Sequence, residues 1–293
     1  MSLKKVYEEK YKLLLIIPFA LLLFAFVQIG YQYSTTGDFV NKGISLKGGS
    51  TITFDYDSSI DIAGLQSFLS AQFPVQGINV RTLSAAGEIQ SVAVDSGAQS
   101  DEEIDSILAV LGGKVDLKDG SYSVEIVGSS LGESFFRQTA SALLIAFILM
   151  GIVVFFYFRS VAPTMIVILA AFSDIVVTIA VFNLTGLKLS TAGIAAFLML
   201  IGYSVDSDIL LSTRVLKRTQ TSLMERVYSS INTGFTMAGT TLAAILVAII
   251  FVQSEVVKQI MIILFIGLLV DQIMTWIQNV GLLRLYLERK EKK

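Results

Sequence analysis

The chain has 293 residues, 54% of them hydrophobic and 16% charged, which is too apolar for an ordinary soluble domain of this length. Its formal net charge of −2 conceals an uneven distribution of sign along the sequence. With 0 cysteines and 0 histidines, disulfides, thiolate metal sites, thiol catalysis and histidine-based hydrolysis, zinc or haem ligation are excluded, leaving carboxylates, hydroxyls and backbone for any chemistry.

Residues 1–12 are basic, with Lys4, Lys5, Lys10 and Lys12 against Glu8 and Glu9. Residues 13–33 form a first membrane span: Leu13 to Ile29 is nearly all apolar apart from Gln28, and Tyr11, Tyr31 and Tyr33 stand at its ends as interfacial anchors. The run exceeds a signal-peptide core and no small-residue cleavage pattern follows, so the span is read as retained.

Residues 34–133 have the composition of a soluble domain, with 14 acidic residues against 5 basic ones. Thr51-Ile52-Thr53-Phe54-Asp55 alternates as a strand entered through Gly48-Gly49, and Ile62, Leu65, Phe68 and Leu69 recur at helical spacing before Pro74. Strands are expected over Asn79–Leu83 and Ile89–Asp95, joined by a turn at Ala86-Gly87. Ser100 with Glu103 is a capping box opening a second helix over Ile104, Ile107, Leu108 and Leu111; Gly112-Gly113 stops it, and Ser121–Val127 makes a last strand. The order is βαββαβ, a ferredoxin-like α+β pattern.

From residue 134 the chain returns to the membrane, with spans expected at 139–158, 164–184, 191–211, 233–252 and 260–283 and a basic tail at 284–293. The fold class is thus an α-helical membrane protein with six transmembrane helices and one extracytoplasmic domain. The amino terminus, the Arg159 turn, an amphipathic connector from Arg214 through Lys217 and Arg218 to Arg226, and the tail fall on one side and hold 14 of the 22 basic residues. By the positive-inside rule both termini are cytoplasmic and residues 34–133 lie outside the cell membrane.

Four carboxylates fall inside spans: Asp174, Asp206, Asp208 and Asp271. No Lys or Arg stands at their depth, and desolvation penalises the ionised form of any carboxylate kept from water. They are candidates for a proton relay or for an intramembrane polar cluster that locks helices together. Helical spacing stacks Asp208 with Ser204 and Ser212 and lays Asp206, the deeper of the pair, over Gly202, where another helix can approach. Ser173, Thr178, Ser207, Thr236, Thr240 and Thr241 offer hydroxyls, and Asn279 an amide. Gly234, Ala238 and Gly239 among threonines read as a packing face toward the fourth span.

Gly43-Ile44-Ser45-Leu46-Lys47-Gly48-Gly49-Ser50, Leu131-Gly132-Glu133 running to Arg159-Ser160, Ser173-Asp174-Ile175 and Gly202-Tyr203-Ser204-Val205-Asp206-Ser207-Asp208 occur in an order that resembles the SecD/SecF protein-export family of the RND superfamily. The resemblance covers nearly the whole chain, with Gly48 and Gly49 as the family signature. Bacterial members carry Asn-Asp-Thr where this chain has Asp206-Ser207-Asp208, and an arginine early in the fifth span; the pattern is more similar to archaeal members. The resemblance implies an RND-type half: an auxiliary subunit, not an enzyme, that works with SecD and the SecY translocon on exported polypeptides in the lipid bilayer. It implies no cofactor, no metal and no nucleic-acid partner, and coupling to the proton gradient through the aspartates. Gly202, Ser204, Ser207, Gly239 and Thr240 are the expected helix-packing and partner-interface positions. A small-molecule or lipid transporter half and a passive scaffold of the translocon are the alternatives.

Overall fold

The computed structural model describes residues 3–58, 60–85, 88–115, 117, 121–217, 221–252 and 254–291. The turn expected at Ala86-Gly87, Arg218 of the connector and Lys292-Lys293 of the tail lie outside the described residues.

Two short helices, α1 (Leu3–Glu9) and α2 (Tyr11–Leu14), precede α3 (Ile16–Thr36). After α4 (Ile44–Lys47) come β1 (Gly49–Asp55), α5 (Ile62–Gln72), β2 (Asn79–Ala85), β3 (Glu88–Ser96), α6 (Asp101–Gly112) and β4 (Tyr122–Val127). The sheet order is β2-β3-β1-β4 with every neighbouring pair antiparallel, the arrangement the βαββαβ order requires. Alternation in β1 sends Ile52 and Phe54 to one face, where α5 and α6 cover them with Leu65, Leu69, Ile107 and Leu111. The capping box forms as expected: Ser100 accepts from the Glu103 N–H, and Glu103 accepts from the Gln99 and Ser100 amides, which hold its carboxyl below the usual range.

Among the described residues, six helices are long and apolar enough to cross a membrane. They are α2–α3, α7 (Ser129–Phe158), α8 (Val161–Leu184), α9 (Thr191–Lys217), α10 (Leu223–Phe251) and a sixth made of α11 (Glu255–Ile273), a π-helical turn (Met274–Asn279) and α12 (Val280–Glu291). The centre of the bundle is α8, α9 and the sixth helix, while α7, with only 6% of its apolar window buried against 56% for α8, lies outermost. Several helices outrun their apolar stretches. The connector expected over Arg214–Arg226 is built from the ends of α9 and α10, because a second capping box, Ser222 with Glu225, starts α10 there. The sixth span is not the single α-helix its periodicity implies, since the π-turn widens it just past Asp271.

Three glycines join the domain to the bundle. Gly48 and Gly49 have φ of +84° and +141°, and a Cβ there would stand 2.5 Å from Ser129 Cα and 2.2 Å from the Ser96 carbonyl oxygen. A Cβ on Gly132 would meet the Gly48 nitrogen at 2.7 Å, so the start of α7 lies directly on the strand of chain leading into β1. A second tether runs through the loop between α8 and α9. Leu189 exchanges backbone hydrogen bonds with Asn41 and Gly43, and Lys188 Nζ donates to the Gly77 carbonyl at 3.0 Å. Asn183, at the foot of that loop, is buried and donates to the Phe39 carbonyl at 2.9 Å, tying the end of α8 to the segment after α3.

Candidate functional site

Asp174 on α8, Asp208 on α9 and Asp271 on the sixth helix are each 0% exposed and gather in the middle of the bundle. Their neighbours are hydroxyls and amides. Ser204 donates to Asp174 Oδ2 at 2.5 Å. Thr275 Oγ1 lies 3.1 Å from Asp208 Oδ1 and 3.0 Å from Asp271 Oδ1, and the Asn279 amide donates to Asp208 Oδ1. Gln278 reaches back to Ser173 at 3.2 Å. Among the described residues no Lys or Arg pairs with any of the three carboxylates.

Thr275 carries the electrostatic argument. A hydroxyl has one hydrogen to donate, yet it sits at hydrogen-bond distance from two carboxyl groups. It donates to one; the second contact is a hydrogen bond only when that carboxyl holds a proton and donates to the hydroxyl oxygen. Asp208 and Asp271 are therefore linked through one hydroxyl, Thr275 Oγ1. Among the described residues, buried side-chain oxygens without a hydrogen-bond partner include Asp174 Oδ1, Asp208 Oδ2 and Asn279 Oδ1 of this cluster.

The structure corrects the sequence reading at several positions. Asp206, expected to be the deeper of its pair, is exposed, and Asp208 is the buried one. Both lie on the same turns of α9, so rotation of the helix and not depth decides between them. Gly202 and Tyr203 share the exposed face with Asp206, and a Cβ on Gly202 would meet nothing within 4 Å. Ser207 is half-buried, with its hydroxyl 3.5 Å from the Tyr203 carbonyl and in contact with the Asp271 carboxyl. The fifth-span hydroxyls bond within their own helix: Thr236 donates to Asn232 O, and Thr240 and Thr241 to Met237 O. Gly239 has open space around it, while Gly234 packs against Trp276 of the sixth helix and not against the fourth. Gly48 and Gly49 belong to the joint with the domain, away from this cluster.

Thr275 and Gln278 went unread in the sequence. The available signal was their spacing from Asp271, four and seven residues on, which places them along one side of a helix.

The family model described as "Protein export membrane protein SecD/SecF, C-terminal" matches residues 109–289. A protein-export membrane protein SecF from Pyrococcus furiosus is 38% identical over 100% of this chain and 96% of its own length. The corresponding protein from Methanocaldococcus jannaschii is 36% identical over 97% of this chain and 99% of its own. Among solved structures, the crystal structure of SecDF, a translocon-associated membrane protein from Thermus thermophilus, superposes with a TM-score of 0.72 at 23% identity, covering 96% of this chain. This chain spans 38% of the length of that SecDF chain.

Proposed function

The chain belongs to the SecD/SecF family of protein-export membrane proteins, and from that membership we propose that it is one six-span half of an export machine, completed by SecD and working beside the SecY channel on exported polypeptides. The buried triad Asp174, Asp208 and Asp271 is the part that would couple this work to the proton gradient. One observation carries the reading: a single hydroxyl, Thr275 Oγ1, bridges two fully buried carboxyl groups that lack a pairing cation among the described residues. Such a site is expensive to keep in a membrane and is suited to holding and passing a proton. Both termini would face the cytoplasm, as the distribution of basic residues favours.

The partner reading rests on the outer face of the fourth and fifth helices. Asp206, Gly202, Asn232, Thr236, Gly239 and Thr240 are exposed on α9 and α10, which pack on each other. A carboxylate, an amide and glycine gaps are poor company for lipid and good company for another helix. RND-type folds consist of two related six-span halves, so the occupant is the six-span half of SecD.

Export into membrane vesicles tests the first part. Asp208→Asn, Asp174→Asn and Asp271→Asn keep size and hydrogen bonding but remove titration, and each is expected to lower export at least about tenfold. Wild-type export in all three would leave a passive scaffold. The second part is tested by disulfide crosslinking, which is clean because the chain has 0 cysteines. A cysteine at Gly202 or Ser207 is expected to capture SecD's fourth span, whereas one at Ile168, which lies against Gly151 of α7, is not. Failure at both fourth-span positions would refute the pairing.

A further inference from the structure

Tyr7 stands on α1, at the end of the bundle away from the folded domain, and reaches the π-turn of the sixth helix. Its hydroxyl donates to the Trp276 carbonyl at 2.6 Å. At that point the helix has changed register. The Val280 N–H, which an α-helix would direct to Trp276, goes to the Thr275 and Ile277 carbonyls instead. Tyr7 thus supplies a donor to a carbonyl that the π-turn has deprived of its α-helical one. Burial holds the Tyr7 hydroxyl above the usual phenol range, so it stays protonated and able to donate.

Both ends of this bond are themselves held. Arg284 on α12 donates to the Tyr7 and Glu8 carbonyls at 3.1 and 2.7 Å, with its guanidinium 3.9 Å from the centre of the Tyr11 ring. Tyr228 of α10 donates to the Glu8 carboxylate at 3.0 Å. On the other side, the Trp276 indole lies where Gly234 leaves room, stacks on Phe235 with centroids 6.1 Å apart, and donates to Gln272 at 3.0 Å.

The same turn forms the polar wall of the carboxylate cluster. Thr275 contacts Asp208 and Asp271, Gln278 contacts Ser173, and Asn279 contacts Asp208. Trp276 sits between them in the chain. A return of Val280 to an α-helical bond with Trp276 would turn the residues around it by about 100° per residue lost and pull Thr275, Gln278 and Asn279 out of line together. We infer that Tyr7 is a positioning residue: by occupying the Trp276 carbonyl it fixes the π-turn, and through it the amino-terminal helix sets the geometry of the intramembrane carboxylates. Nothing in this coupling requires those carboxylates to move protons.

The test uses the full chain in lipid nanodiscs, comparing wild type with Tyr7→Phe and Tyr228→Phe. Tyr7→Phe keeps the ring and removes only the donor; Tyr228→Phe removes a hydroxyl bond to the same helix that does not touch the turn. For Tyr7→Phe, amide hydrogen exchange across residues 274–283 is expected to quicken about fivefold, the loss of one hydrogen bond. Labelling of Asp208 and Asp271 by an apolar carbodiimide is expected to rise about threefold as the cluster opens. Emission from Trp276, the only tryptophan of the chain, should shift with them. Tyr228→Phe should leave all three as in wild type. Exchange in Tyr7→Phe within about twofold of wild type, an equal effect from Tyr228→Phe, or faster exchange with unchanged carboxyl labelling would each overturn the coupling.

Discussion

The folded domain and the helical bundle use polar side chains in opposite ways. In the domain the buried polar side chains among the described residues are Ser50 and Ser96, bonded to each other at 2.8 Å across β1 and β3. Its carboxylates are not among the buried polar groups, and the helices are held on the sheet by apolar burial together with Gln66 of α5, which bonds the Ile78 carbonyl and the Val80 N–H. In the bundle, Asp174, Asp208, Asp271, Thr275, Gln278 and Asn279 are all 0% exposed while Phe156 and Phe251 are more than 70% exposed. Lipid accepts the apolar surface at no cost, so burial of leucines says little about which faces pack. In the domain, then, stability and chemistry lie in different places; in the bundle they share the same atoms.

That contrast can be pressed by mutation, beginning where the effect is largest. Leu69→Ala in a fragment of residues 36–133 is expected to cost about 2–5 kcal/mol in urea unfolding, since Leu69 is fully buried under the sheet. The wild-type fragment should be a cooperative monomer with a mixed helix and sheet spectrum; an all-helical or disordered product would defeat the autonomous-domain reading. Next, Asp208→Ala should destabilise the intact bundle by about 1–3 kcal/mol in micelles, because Asn279 and Thr275 lose their acceptor. By contrast, Asp174→Leu combined with Ser204→Ala removes both partners of the Ser204–Asp174 bond and should cost the bundle less than Asp208→Ala does, while abolishing export if the proposed coupling holds. A double variant that exports normally would break the distinction.

Smaller effects sharpen it. Ser100→Ala takes the cap from α6 and should cost the domain about 1 kcal/mol, read from the same urea transition. Asp206→Asn lies on an open face and should change the isolated chain's stability by less than about 0.5 kcal/mol, yet weaken co-purification with SecD. If Asp206→Asn destabilises the isolated chain as much as Asp208→Ala, the exposed-face assignment fails.

How far each region could be read from sequence follows from the same physics. In water, the period-two run at Thr51–Asp55 and the Ser100–Glu103 box leave one consistent arrangement, and the strand order follows from βαββαβ. Span number was equally legible from apolar length. Within the spans, however, neither face of a helix must be apolar or polar, so the rotation that buries Asp208 and exposes Asp206 leaves no trace in periodicity. Depth is the wrong variable when two residues share a turn. The π-turn at Met274–Asn279 is hidden for a related reason: Thr275, Gln278 and Asn279 stand four, seven and eight residues past Asp271, a spacing that reads as one face of an ordinary α-helix, and only their partners disclose the extra residue.

Where Gly48, Gly49 and Gly132 bring backbone against backbone, the chain has a bearing with no play in it. Side chains in an interface absorb small displacements by changing rotamer; three glycines have nothing to rotate. The start of α7 and the chain entering β1 thus meet through backbone alone, and the Lys188 strut to Gly77 gives the domain a second point of support on the loop between α8 and α9. The domain is therefore footed on two separate parts of the bundle, the start of α7 and the α8–α9 loop, like a table on two legs.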